Sequence, residues 1–224
     1  WTRHLRIAGR VRWTQDTSVP VGVFGPGSTR EILTDLGIPF AYVDGLDVGA
    51  LVGFEVLLME RNTVVAGSQQ NQQIRSFVQR GGRVIVLDQM HSLFPAVTLE
   101  GKPVLSAFVR AHTHPVLEGL EDGDFFAWGD DPYPLLASDA YVATRMYRKD
   151  DGRLMLPLMD SGEGGFGSGD LEMTPLFEAQ EGEGLILACQ LRLTEKAHDT
   201  PAAAELLVRL LERAISYQPA PSSE

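Results

Sequence analysis

A single cysteine, Cys189, stands in 224 residues. That excludes an intrachain disulfide framework and any cysteine-rich zinc site. Long apolar runs are missing too, and none approaches the roughly 18 residues that span a bilayer. Positive charge is scarce: 19 Lys and Arg face 30 Asp and Glu, a formal net charge of −11. Like charges repel, so no nucleic-acid partner and no membrane partner is expected, and small molecules or proteins fit better. What is present is ordinary for a globular chain, with 44% hydrophobic and 22% charged residues, enough to bury a core without staples. Trp1 rather than Met comes first and no signal-peptide pattern follows, so the expectation is a processed chain or a piece of a longer one. The compartment stays open, a secreted or periplasmic parent included.

Arg3, Arg6, Arg10 and Arg12 reverse the charge locally. Residues 1–18 read as a linker or edge segment from an upstream domain rather than a nucleic-acid arm. Val19 to Phe24 then forms a short apolar run closed by Gly25, Pro26 and Gly27, a buried strand and a tight turn. Ser28 to Glu31 matches a capping box, followed by Ile32, Leu33 and Leu36 at helical spacing and Gly37 as a stop. Ile38 to Val43 and Phe54 to Met59 read as strands with a short helix between them. Gln69 to Arg80 reads as a helix, ended by Gly81 and Gly82, and Arg83 to Leu87 as a strand. Continuous apolar strands that alternate with helices predict an α/β fold: three layers, doubly wound around a mostly parallel sheet.

The middle is less regular. Val104 to Ala111 fits a strand or a short helix. Ala140 to Tyr147 and Leu154 to Met159 fit a hairpin around Lys149 to Gly152. Gly184 to Leu191 returns as a strand and Pro201 to Tyr217 as a helix with a leucine stripe. Residues 19–217 are thus expected to form one domain, with 218–224 as a flexible tail.

Ligands of open α/β sheets bind beyond the carboxyl ends of the strands. Those ends supply Glu60, Asp88, Gln89 and His91, near the Gly25 to Gly27 turn, and these are the crevice candidates. Two carboxylates in one crevice repel, which raises one pKa and marks a proton-transfer or ligand site; solvated strand-end acids are the plainer alternative. Gly25 and Gly27, with Asp44 further on, imitate a dinucleotide fingerprint, but Arg30 occupies the third glycine position. Gly162, Gly164 and Gly167 match the same pattern without a following helix, so they read as a loop. No nucleotide or other cofactor is expected, and a neutral, hydroxyl-rich ligand such as a sugar suits the acidic chain better. His112 and His114 are weak metal candidates, lacking a fixed third ligand beyond Asp88, His91 or Glu118. Cys189, inside an apolar strand, reads as a small hydrophobe. Asp130 and Asp131, between Trp128 and Tyr133, read as a turn or as a sugar-binding surface.

Together Val21 to Asp88, with Gly81 to Leu87 feeding the fourth strand, resemble the class I glutamine amidotransferase-like fold. His114 to Leu120 and Gly182 to Leu191 look like the version appended to bacterial glycoside hydrolases of the beta-galactosidase-like kind. The resemblance implies a domain of a larger chain, with a homo-oligomer and carbohydrate as further partners, since a similar domain supports trimer assembly in one such group. Active amidotransferases carry a cysteine at the turn after the fourth strand and a late His-x-Glu pair. Here Asp88, Gln89 and Met90 occupy the turn, and only Glu195 and His198 occur late, in reversed order. No catalytic residue is therefore carried over. The expectation is a non-catalytic accessory domain; the alternative is an independent hydrolase using the strand-end carboxylates and histidines, with or without a metal.

Overall fold

The computed structural model describes Trp13 and residues 19–128, 138–149, 154–164 and 171–219. The first half runs β1 (Val21–Phe24), α1 (Arg30–Leu36), β2 (Ala41–Tyr42), β3 (Val56–Met59), α2 (Gln69–Gln79) and β4 (Arg83–Leu87). The middle gives β5 (Leu99–Val104), β6 (Phe108–Val109), β7 (Ala143–Arg148), β8 (Leu156–Pro157), β9 (Met159–Gly164) and β10 (Leu171–Thr174). The last part gives β11 (Leu176–Glu181), β12 (Gly184–Cys189), α3 (Leu193–Lys196) and α4 (Pro201–Ser216). The protein is thus a mixed α/β chain with two sheets. Among the described residues no helix is long and apolar enough to cross a membrane.

The larger sheet has the order β2-β1-β3-β4-β12-β11-β8. Its strands β2, β1, β3, β4 and β12 are parallel, whereas β11 joins β12 antiparallel and β8 in turn joins β11 antiparallel. Side chains alternate across a strand, and here the alternation feeds two apolar clusters. Val23, Leu58, Ile85 and Leu187 pack with Leu33 of α1 and with Leu206, Leu207, Leu210 and Leu211 of α4. Leu57, Val84, Val86 and Ile186 pack with Ile74, Phe77 and Val78 of α2. Both faces are buried, which is why these strands read as unbroken apolar runs.

Gly184 explains the glycine that opens β12. A Cβ there would lie 2.1 Å from the Val78 carbonyl oxygen and 2.3 Å from that of Gly82. The end of α2 passes too close to β12 for any side chain.

The middle segment corrects the sequence expectation. It builds a separate antiparallel sheet of order β5-β7-β10-β9-β6. The hairpin expected around Lys149 does not form, because β7 pairs with β5 and β10 while β8 pairs with β11 in the other sheet. Turn residues signal a reversal, but burial selects the partner: Met155 enters the α2-side cluster beside Phe177. Val104 to Ala111 divides into the end of β5 and the two-residue β6. The short helix expected between β2 and β3 is a series of turns over residues 47–53. The capping box at Ser28 is also absent: Thr29 is the N-cap, and no side chain of that turn caps the helix. Gly37 does close α1 in the left-handed conformation, with φ 75°. The two sheets are fastened by an Ala143–Leu191 bridge and by an edge-to-face contact of Tyr147 and Phe177 at 4.8 Å between ring centres.

Candidate functional site

Glu60 leaves β3 and turns inward, fully buried. Its Oε1 accepts the Thr29 amide at 2.6 Å and its Oε2 accepts the Gly27 amide. These are the amides that a phosphate would use at such a turn. The carboxylate fills the place itself, so the Gly25 and Gly27 resemblance to a dinucleotide site ends in a self-capped turn. Gly25, at φ 143°, makes room: a Cβ would stand 2.6 Å from the Glu60 Cβ. Arg30, in the third glycine position, lies over the Tyr42 ring at 4.2 Å. Asp44 is exposed.

Gln89 is equally enclosed. Its Nε2 donates to the Glu60 carbonyl at 2.7 Å, and its Oε1 accepts the Val64 amide at 2.8 Å. Its own amide donates to Gln190 Oε1 at 3.1 Å, and Gln190 Nε2 donates to the Tyr147 hydroxyl at 2.8 Å. A buried polar chain thus links the β3 and β4 ends to the second sheet. Burial pushes the Tyr147 hydroxyl well above its ordinary pKa.

Asp88 occupies the sharp turn after β4. Its φ is 24°, a left-handed value rare outside glycine. Its amide donates to the Cys189 carbonyl at 2.7 Å, and its carbonyl accepts the amide of Asn62, itself at φ 59°. Arg61 Nε lies 2.9 Å from Asp88 Oδ2, without the N–H aimed at it, so the contact is ionic rather than a directed hydrogen bond. Burial raises the Asp88 pKa, against the opposing pull of Arg61, Arg145 and Arg192. Arg61 and Arg192 both also bond Glu195.

The remaining candidates do not join this cluster. His91 is exposed. His112 is exposed as well, while His114 turns into the fold, its Nε2 3.2 Å from Glu178 Oε2 and its Nδ1 accepting the Val116 amide at 3.3 Å. The two imidazoles therefore do not converge as metal ligands. Among the described residues no group of three His, Cys, Asp or Glu side chains gathers as metal ligands do. Cys189 is buried and its thiol pKa is pushed up to about 12, mainly by burial, which leaves little thiolate at neutral pH. Trp128 is 6% exposed and its Nε1 donates to the Asp124 carbonyl at 2.8 Å, so it belongs to the core and not to a sugar platform. Asp130, Asp131 and Tyr133 lie outside the described residues, as does Gly167. A hollow of about 380 Å³ lies at the opposite end of the sheet, beyond the amino ends of β3 and β4, lined by Val48, Phe54, Phe77, Arg80 and Arg83 among others.

Arg61, Arg145 and Arg192 escape a search for acids, histidines and nucleophiles, and Glu195 enters the sequence analysis only as a failed match to a His-x-Glu pair. Arg61 was legible as the residue after Glu60, and Arg192 and Glu195 as residues just past the last core strand. Arg145 carries no local signal, because only long-range pairing of β7 brings it here.

Neither a family profile nor a curated protein sequence matches the chain. Solved structures do. A ThuA-like protein from Bacteroides uniformis matches with TM-score 0.56 at 10% identity, over 94% of this chain and 97% of its own. A ThuA-like protein from Parabacteroides merdae matches with TM-score 0.54 at 14% identity, over 91% and 92%. The cold-adapted beta-galactosidase from Rahnella sp. R3 matches with TM-score 0.53 at 15% identity, over 91% of this chain but 33% of the enzyme. Identities this low show the fold alone, and ThuA-like proteins have a class I glutamine amidotransferase-like fold. That agrees with the fold inferred from the sequence; attachment to a glycoside hydrolase is a separate matter.

Proposed function

We propose that residues 19–217 form a non-catalytic accessory domain of a larger enzyme, with a glycoside hydrolase as the parent, serving assembly or carbohydrate contacts. In this reading the domain keeps the doubly wound, three-layer plan of its fold and has lost its chemistry. The supporting observation is the elbow after β4. Its residue is Asp88, held against Arg61, and a carboxylate there cannot form the thioester that a cysteine would. The neighbouring polar groups are engaged internally, Glu60 by the Gly27 and Thr29 amides and Gln89 by backbone partners. A similar fold filling a third of the Rahnella enzyme is compatible with a domain within a larger chain.

The test is a substrate panel on the purified chain. Glutamine should release no ammonia, and nitrophenyl galactosides, glucosides and mannosides should release no nitrophenol above a buffer blank. The independent-hydrolase reading draws on one observation, the raised pKa of buried Asp88, which suits a general acid. It requires turnover that disappears in Asp88→Asn, and such a result would replace the accessory reading.

A further inference from the structure

The chain as a whole carries −11, yet three guanidinium groups meet at the carboxyl ends of β4 and β12. Arg61 follows β3 and reaches both Asp88 and Glu195. Arg192 follows β12, bonds Glu195, and is steadied by the Asp139 and Tyr141 carbonyls at 3.2 and 3.3 Å. Arg145 comes from the other sheet. Ala143 bridges to Leu191 and Tyr147 bonds Gln190, so Arg145, on the same face of β7 between them, stands over the same strand ends. Asp88 feels the charge of all three.

Arg61 and Arg192 are matched by Asp88 and Glu195, and Asp139 also acts on Arg192. The Arg145 side chain makes no hydrogen bond or ion pair among the described residues, and the second terminal nitrogen of Arg61 is likewise unused there. The Arg61 side chain is 38% exposed, whereas the Asp88 side chain behind it is 5% exposed. The cluster is therefore open to solvent on the Arg61 side, and Arg145 is half-buried. Arginines crowded together in partial burial repel one another, and an anion between them relieves that repulsion.

We propose that Arg61, Arg145 and Arg192 bind the oxyanion group of a small polar molecule, a carboxylate or a phosphoryl group, at the carboxyl ends of β4 and β12. The guanidinium fork matches both groups through paired N–H donors. The chain's net charge does not forbid this, because a partly buried site answers to its local field more than to distant screened charges. The inference goes beyond the accessory reading and stands whether or not that reading holds.

The test is calorimetric titration and thermal shift of the whole chain at constant ionic strength, with sodium glucuronate, inorganic phosphate and glucose as probes. At least one anion should bind saturably with a millimolar Kd and raise Tm, while glucose does neither. Glucuronate alone would identify the carboxylate as the group bound, phosphate alone the phosphoryl group, and both the shared chemistry. Arg145→Ala should weaken binding about tenfold or more and change the unliganded Tm little, since its side chain holds no hydrogen-bonded partner among the described residues and acts on Asp88 only through space. Arg145→Lys serves if the alanine variant does not fold, and should weaken binding while keeping the charge. Absence of saturable binding by either anion up to about 50 mM, equal response to glucose, or undiminished binding in the Arg145 variants would overturn the proposal.

Discussion

Glu60 and Glu178 are both buried carboxylates, and both are held by donors rather than left to repel a neighbour. Glu60 serves two backbone amides of the first turn. Glu178 takes His114 on one side and both arms of Arg213 on the other, at 2.9 and 2.7 Å. Burial alone would raise the Glu178 pKa, but the His114 and Arg213 contacts outweigh it and hold it at about 2. A carboxyl depressed from 4.5 to about 2 stabilises the fold above its unfolded value and loses that contribution as pH falls through the folded value, a difference of about 3 kcal/mol. Asp88 has the opposite sign. Its raised pKa favours the fold at low pH, and that contribution fades as pH rises through the folded value. Urea titrations across pH 2 to 7 should therefore show Glu178→Gln less stable than wild type at neutrality, with the gap closing toward the acid end. A gap that stays constant with pH would remove the ion pair from the account.

At the scale of elements, the contact between α2 and β12 makes the sharpest demand. Gly184→Ala should cost about 3 kcal/mol, because its Cβ meets two backbone carbonyls that cannot move aside. Gly101→Ala, with nothing within 4 Å, should change stability by less than about 0.5 kcal/mol. Equal urea midpoints for the two variants would contradict the close packing. The same elements show what was legible beforehand. β4 runs over Arg83–Leu87 as its unbroken apolar run indicated, and α2 and α4 follow their apolar stripes. The antiparallel sheet was not legible, because β6 and β8 are two residues each and their partners lie far along the chain. Periodicity reads local burial, and it cannot say which distant strand completes a pair. The site followed the same rule. Proximity of Glu60 to the Gly25 turn came from strand-end topology, whereas Arg145 arrives through the register of β7 with β5 and through the Ala143–Leu191 bridge.

For the molecule as a whole, two sheets share one polar seam. Glu60, Gln89, Gln190 and Tyr147 tie the ends of the parallel strands to β7, and the arginines stand at its solvent edge. A satisfied buried network of this kind fixes one arrangement of the sheets, and a scaffold can keep it after catalysis is gone. Fold alone assigns no activity, so the accessory reading rests on how the seam engages the groups that would otherwise react. The most direct measurement is the kcat of the natural polypeptide that carries this chain, on a glycoside substrate, with and without Asp88→Asn. The account predicts an active glycosidase whose kcat stays within about twofold in the variant, because its chemistry lies in another domain. A polypeptide without glycosidase activity, or a kcat that falls about a hundredfold or more in Asp88→Asn, would contradict it.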